Sequence, residues 1–271
     1  MTATEKPSPD EREMPFLDHL EELRWRLIKA LLGVAAGSAL SFILIQQIFD
    51  FLVRPYQAAL DTLAATNAIP ELAADSRLVF LGPTAGFMIY LKLALTAGLM
   101  FALPVIFYQL WKFVAPGLLT KERMVVPRFT ASATLCFIAG AAFCYYLVLP
   151  YGLSFLLSFQ TPQLVAMISI EEYFGFVTTI LLVFGVLFEM PVLTYLLARL
   201  RIVTPEFLRQ KRRYGIVSIF VLAAVLTPTV DAFTQVLLAA PLMVLYEVSI
   251  WVAKVAMPAD MRAAVTTAQE K

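Results

Sequence analysis

The stretch LVFGVLFEMPVLTYLL, residues 182–197, places a single glutamate, Glu189, among residues that carry no charge. Apolar runs of this kind favour the interior of a bilayer, where an ionisable group at a helix centre costs about 2.5 to 3.5 kcal/mol on insertion scales. Such a group usually faces a water-filled cavity or a partner; the structural alternative is a protonated glutamate hydrogen-bonded to a neighbouring helix. The stretch therefore predicts a membrane helix with a polar function at Glu189.

The whole chain has the composition of a membrane protein. Of its 271 residues, 60% are hydrophobic and only 15% are charged, and the mean hydropathy is +0.78. These values exceed what a water-soluble domain normally carries. The net charge of +1 gives no reason to expect a nucleic-acid partner, and the partner expected from composition is the lipid bilayer.

Six charge-poor runs predict an all-α polytopic fold with six transmembrane helices, since about 20 helical residues cross a bilayer. The third run is too long for one crossing, and Pro150 and the polar SFQTPQ near Pro162 are expected to break it into a helix and a surface loop. The last two runs are short and flank TPTVD, so they predict a helical hairpin in locally thinned bilayer. The runs are residues 30–49, 93–111, 129–170, 173–198, 214–230 and 232–246.

Basic residues are sorted by side, which predicts that both termini are cytoplasmic. Three groups precede the first span or fill the second and fourth loops: Arg24, Arg26, Lys29; Lys121, Arg123, Arg128; and Arg199, Arg201, Arg209, Lys211, Arg212, Arg213. The other loops are poor in base. We expect a flexible tail over 1–14, a membrane domain over 15–257 and a second cytoplasmic tail over 258–271. In the first outer loop, 50–83, Pro55 is expected to introduce a bend followed by a short helix.

The sequence contains no motif of a soluble enzyme. It has no phosphate-binding Gly-rich loop, no HExxH, no paired CxxC and no G-x-S-x-G, and a single histidine, His19, cannot build a metal site. We therefore expect no catalytic residue, no metal and no cofactor.

The N-terminal FLDHLEELRWRLIKAL, residues 16–31, has apolar residues at helical spacing and predicts an amphipathic helix that runs from the cytoplasmic surface into the first span. On the residues alone, Glu22 is best read as an exposed partner of Arg26 at i+4, worth about 0.3 to 0.5 kcal/mol. Asp231 is likewise explained as the N-cap of the last span.

Several separate motifs, in order and spacing, closely resemble the TatC family, the polytopic core subunit of the twin-arginine protein translocase. They are FLDHLEELRWRL, ALPVIFYQLWKFVAPGLLTKER, GAAFCYYLVLPYGLSFL, FGVLFEMPVL, VTPEFLRQKRRYGIV and LTPTVDAFTQVLLAAPLMVLYE. The resemblance runs from about Pro15 to Lys254. Ala85 departs from it, because many relatives carry an acidic residue there.

The resemblance implies a signal-peptide site on the cytoplasmic side. Glu22 and Glu122 match the glutamates that recognise the paired arginines of cargo signal peptides, and a carboxylate does accept a guanidinium as a bidentate fork. Arg24 belongs to the same motif, and Phe113 and Pro116 frame the site.

It also implies a membrane site and partners. Glu189 matches the polar floor of a concave, glove-like face, and Thr227 and Gln235, with Asp231 beside them, match the patch where single-span TatA-type and TatB-type proteins dock. The implied protein lies in the bacterial cytoplasmic membrane, associates with itself in a larger complex and uses the proton-motive force.

The sequence thus predicts a non-enzymatic receptor that binds twin-arginine signal peptides and recruits partners to export folded proteins. A proton-coupled small-molecule transporter with Glu189 as its proton site is the first alternative, although no inverted repeat is evident. An intramembrane enzyme is the second, and one glutamate is too small a constellation for it.

Overall fold

The structure, a computed structural model, describes residues 16–65, 78–114, 126–159, 167–226 and 231–257. In this part of the chain nearly every residue is helical, and the only strand-like feature is an isolated bridge between Val79 and Ser169. The all-α prediction is confirmed. The two predicted tails lie outside the described residues. The helices are α1 (Phe16–Ile43), α2 (Ile45–Ala65), α3 (Ala85–Val114), α4 (Val126–Phe143), α5 (Leu149–Leu157), α6 (Ile170–Leu187), α7 (Met190–Arg199), α8 (Pro205–Gln210), α9 (Arg212–Leu226) and α10 (Ala232–Ala256).

Five helical segments of the described chain are long and apolar enough to cross a membrane. They are Asp18–Ile43, Ala85–Val114, Val126–Leu157, Ile170–Arg199 and Ala232–Ala256. The predicted fifth span corresponds to α9, which has 15 described residues. Residues 227–230, which follow it, lie outside the described part of the chain. Because α9 packs against α10, the arrangement is compatible with a short hairpin, and the count of six spans stays a prediction.

The third span continues through Pro150, so the prediction that this proline breaks it is wrong. A π-helical turn, Cys144–Val148, precedes the proline, and the Leu149 N–H donates to the Cys144 carbonyl five residues back. A proline removes one donor and crowds the carbonyl of residue i−4, and the wider π turn takes up that change without ending the helix. The helix ends only at Leu157, directly before the polar SFQTPQ.

Helix α2 runs through Pro55, although the sequence predicted a bend at this proline and a short helix after it. It begins at Ile45, well before Pro55, which corrects the expected bend and short helix. Pro55 has no N–H for the Phe51 carbonyl, and the Tyr145 hydroxyl donates to that carbonyl at 2.6 Å. The Tyr173 hydroxyl donates to the adjacent Leu52 carbonyl at 2.7 Å. Two tyrosines from the third and fourth spans therefore fix α2 across one end of the bundle. We call this end outer, and the opposite end, where α1 begins, inner.

Helix α1 packs mainly on α3, and small residues let the two backbones meet. A Cβ on Gly37 would collide with the Gly98 carbonyl, and a Cβ on Gly98 would collide with the Ser38 backbone. One turn away, a Cβ on Gly33 would lie 3.1 Å from Val105. Small residues at such crossings are typical of helix association in lipid, where dispersion contacts replace the hydrophobic effect.

Substituting Gly98 by Ala is expected to weaken the α1–α3 crossing. The added methyl group has no space, and overpacking of this kind typically costs about 1 to 3 kcal/mol. The measurement is the thermal midpoint of the purified protein in detergent. Gly82→Ala is the matched control, because nothing lies within 4 Å of a Cβ at that position. Equal midpoints for both variants would contradict the close crossing.

Substituting Tyr145 by Phe should lower the thermal midpoint, because it leaves the Phe51 carbonyl without its donor at a cost of about 1 to 3 kcal/mol. The ring stacking of Tyr145 on Phe51, with centroids 4.2 Å apart, is retained in the variant. The neighbouring Tyr146→Phe is the control, since that side chain is exposed. A midpoint for Tyr145→Phe that matches the control would show that the hydrogen bond does not hold α2.

Candidate functional site

The inner ends of α1 and α3 meet through an aromatic stack. The His19 and Phe113 rings lie 4.4 Å apart between centroids and 16° from parallel. Both residues lie on the same side of the Gly37–Gly98 crossing, since α1 and α3 are antiparallel neighbours. The stack therefore brings Phe113, a residue of the predicted peptide site, against the helix that carries Glu22.

Glu22 lies one turn after His19 and is held by Arg26. Its Oε1 accepts from Arg26 Nε at 3.0 Å and also from Arg26 Nη2, so the pair expected from the residues alone is present. This ion pair is less exposed than the sequence predicted: the Arg26 side chain is 12% exposed and the Glu22 side chain is 23% exposed. Oε2 of Glu22 lies 3.8 Å from His19 Nδ1 and has no hydrogen-bond partner in the described residues.

The other predicted residues of this site divide into two groups. Arg24 is exposed on α1. It is two positions from both Glu22 and Arg26, so it lies on a different face of the helix from that pair. Glu122 and Pro116 lie outside the described residues, so their placement relative to Glu22 stays a prediction. Sequence reasoning considered His19 only as a metal ligand and missed its stacking on Phe113, a residue distant in the chain. Its spacing of three from Glu22 signalled only the contact between those two side chains.

Glu189 lies at a break in the fourth span and not at the centre of a helix, which corrects the prediction. Helix α6 ends at Leu187 and α7 begins at Met190. The Glu189 N–H donates to the Val186 carbonyl at 3.0 Å, in a tighter three-residue pattern. Pro191, in the first turn of α7, explains the break, since it cannot donate to the Leu187 carbonyl and its ring crowds that group.

The break packs closely against α4. A Cβ on Gly140 would lie 2.6 Å from the Phe184 carbonyl oxygen and 2.7 Å from Phe188, and one on Gly185 would collide with the Phe137 ring. Glu189 itself is only 6% exposed. Its Oε1 is buried without a hydrogen-bond partner among the described residues, which is the arrangement of a carboxyl group that a partner or water could satisfy.

Lys92 is a second charged group within the spans. It is exposed on α3, and its ammonium lies beside Gly175 of α6, where a Cβ would be 3.3 Å away. Because α6 has no side chain there, the lysine stem can extend along the helix toward the outer surface.

The outer end of the last hairpin is polar and internally bonded. The Asp231 carboxylate caps α10 by accepting from the Thr234 N–H at 2.6 Å, as its position in the sequence indicates. Gln235 Nε2 donates to the Phe220 carbonyl of α9 at 3.1 Å. One amide group thus ties the two hairpin helices together. Thr227 lies outside the described residues.

The described residues contain no group of three or more His, Cys, Asp or Glu side chains that could hold a metal ion. The polar side chains that the structure does bring together are the inner cluster of His19, Glu22, Arg26 and Phe113, the buried Glu189, and the hairpin pair Asp231 and Gln235.

Comparisons with known proteins identify the family. The model of the family "Sec-independent protein translocase protein (TatC)" matches residues 18–241. The chain belongs to the TatC family.

Individual TatC proteins match nearly the whole chain. The TatC protein of Koribacter versatilis is 43% identical over 92% of this chain and 88% of its own length, and that of Aquifex aeolicus is 38% identical over 90% and 96%. A solved structure, described as the "Crystal Structure of Twin Arginine Translocase Receptor- TatC", aligns with a TM-score of 0.73 at 37% identity, covering 88% of this chain and 99% of that one.

Membership of the TatC family settles the class of protein. The chain is a multi-span membrane component of the Sec-independent protein translocase, which works in protein transport and is not an enzyme. The rival prediction, a small-molecule transporter, has no support in these comparisons.

Replacing Glu189 by Met distinguishes a functional from a structural role in this TatC protein. A buried polar group with an unpaired oxygen contributes little to stability, and an apolar group of similar shape is often neutral or stabilising. We expect the thermal midpoint in detergent to stay the same or rise, while protein export by the translocase falls.

Leu193→Met, one turn along α7 at an exposed position, is the matched control and should change neither quantity. A lower midpoint for Glu189→Met with unchanged export would assign Glu189 a purely structural hydrogen bond.

Proposed function

We propose that this chain is the receptor and core subunit of a twin-arginine translocase, binding twin-arginine signal peptides of folded cargo at its cytoplasmic face. The observation that carries the proposal is the inner cluster, in which Glu22 and Phe113 are brought together by His19. A related protein of 37% identity is described as a twin-arginine translocase receptor, which supports the same assignment for this chain.

The Glu22 carboxylate is suited to read an arginine. Arg26 donates to Oε1, and a carboxylate has about four lone-pair sites. Oε2 is buried without a hydrogen-bond partner in the described residues, so it can accept from one incoming guanidinium when the bound peptide makes it accessible. A guanidinium presents parallel N–H groups that a lysine ammonium cannot reproduce. The second arginine would pair with Glu122.

The His19–Phe113 stack supplies the apolar part of the same site. Guanidinium groups bind well on aromatic faces, and the exposed leucines that continue along α1, Leu20, Leu23 and Leu27, would contact the hydrophobic segment of the signal peptide. Because the contacts are near the surface, we expect the affinity to fall as salt concentration rises.

The orientation and partners of the chain complete the proposal. Exposed basic residues at the junction of α8 and α9 lie on the same side as the inner cluster, and by the positive-inside rule that side would be cytoplasmic. They are Arg209, Lys211 and Arg213. TatA-type and TatB-type single-span proteins would dock at the polar outer end of the hairpin, through Thr227, Asp231 and Gln235. Glu189 would admit a polar or hydrated group into the plane of the bilayer from a concave, glove-like face during transport driven by the proton-motive force.

The proposal predicts selective binding of a labelled twin-arginine signal peptide to the purified full chain in detergent. Replacing both arginines of the peptide by lysine should lower the affinity about tenfold or more, because each charge-assisted hydrogen bond is worth about 1.5 to 3 kcal/mol. Glu22→Gln and Glu122→Gln should each cause a loss of similar size.

Glu21→Gln is the matched control for this measurement. Glu21 precedes Glu22 on the same helix and is exposed, so its loss should leave the affinity within twofold of the original. If the two peptides bind equally well, or if Glu21→Gln and Glu22→Gln have the same effect, the assigned site is incorrect.

A further inference from the structure

The outer half of the molecule contains a recess that lies apart from the inner cluster and Glu189. It has a volume of about 230 Å³ and lies between α2 and the π turn of the third span. One water molecule occupies about 30 Å³ in the liquid, so the recess can hold a group several times larger. Its lining is aromatic and aliphatic with one arginine: Phe51, Arg54, Pro55, Ala58, Tyr145, Tyr146 and Pro150.

The depth of the recess places it at the outer membrane interface. From Val126, the inner end of α4, to Tyr145 is about 29 Å by the helical rise, which matches a hydrocarbon core of about 30 Å. Tyr146 and Tyr151 are exposed on the same part of the span, at 69% and 61%. Exposed tyrosines at this level are typical of the aromatic belt beside the lipid headgroups.

Arg54 is the one charged side chain that lines the recess. In the described part of the chain it takes part in no ion pair. The nearest acid along the helix, Asp50, instead accepts from Gln46 at 3.4 Å. No lining residue is acidic, and the other polar side chains of the lining are the hydroxyls of Tyr145 and Tyr146.

An arginine here runs against the general sorting of basic residues to the inner side. The Tyr145 hydroxyl cannot donate to a ligand while it donates to the Phe51 carbonyl. The guanidinium is therefore the main polar group that the recess offers to a ligand, and it is a donor of up to five hydrogen bonds.

We propose that this recess binds the phosphodiester of an outer-leaflet phospholipid. Arg54 donates to the phosphate oxygens, the stacked rings of Phe51 and Tyr145 form one wall against the glycerol region, and the acyl chains follow the lipid-facing side chains of Tyr146 and Leu147. The bound lipid would support the outer end of the third span at the π turn, where α2 is already fixed by Tyr145.

The experiment measures lipid binding to the purified full chain, freed of lipid in detergent, by native mass spectrometry. The probes are phosphatidylglycerol, phosphatidylethanolamine and diacylglycerol with identical acyl chains, and soluble glycerophosphate as competitor. The variants are Arg54→Gln and Arg54→Lys. Arg209→Gln, an exposed arginine on the inner side, is the matched control.

We expect both phospholipids to bind the unaltered protein and diacylglycerol to bind at least tenfold more weakly. Arg54→Gln should lower phospholipid affinity about tenfold, Arg54→Lys should lower it less, and Arg209→Gln should leave it unchanged. The thermal midpoint of Arg54→Gln without lipid should equal that of the unaltered protein, which separates loss of binding from loss of fold.

Three outcomes would overturn the proposal. The first is equal binding of diacylglycerol and the phospholipids, which would remove the phosphate from recognition. The second is unchanged affinity in Arg54→Gln. The third is displacement of phospholipid by glycerophosphate at equal concentration, which would make the recess a site for soluble phosphate esters and not for lipid.

Discussion

The contact of backbone on backbone between Gly37 and Gly98 is the constraint on which the cytoplasmic site depends. Helix α1 has α3 as its main neighbour, so this crossing sets where the rest of α1 lies. From Gly37 to His19 is about 27 Å along the helix, and over that length the two helices stay adjacent until His19 stacks on Phe113. The position of Glu22 therefore depends on Gly37 and Gly98, two small residues that lie far along the helices from the site that Glu22 belongs to.

A second constraint governs the outer half. Hydrocarbon offers no hydrogen-bond partner, so each backbone group released by a proline must be satisfied within the protein. The Phe51 carbonyl released by Pro55 is satisfied by Tyr145, and Pro150 is tolerated through a π turn. The break at Glu189, beside Pro191, belongs to the same series. At these three prolines, the chain is adjusted beside a tyrosine, a recess or a buried carboxyl group.

The sequence predicted the class of fold because that depends on composition and hydropathy. The residues of the predicted peptide site came from the resemblance of separate motifs to a family, since Glu22 on its own reads as a helix ion pair. The sequence prediction of a helix centre at Glu189 was wrong, although Pro191, two residues later, was a visible signal for the break between α6 and α7. The spacing of Gly33 and Gly37 was likewise a visible signal for a close crossing. The stack of His19 on Phe113 had no signal, because the two residues are distant in the chain and no periodicity couples them. The π turn had a partial signal in Pro150, whereas the recess at Arg54 arises from packing alone.

The most direct test of the account is photo-crosslinking of a twin-arginine signal peptide to the full chain in its native membrane. Benzoylphenylalanine would replace Phe113 at the inner end of α3 or, as a comparison, the exposed Phe87 at its outer end. The account predicts a crosslink from position 113, lost with a twin-lysine peptide, and none from position 87. Crosslinks of equal yield from both positions, or a crosslink from position 87 alone, would contradict a receptor site at the inner ends of α1 and α3.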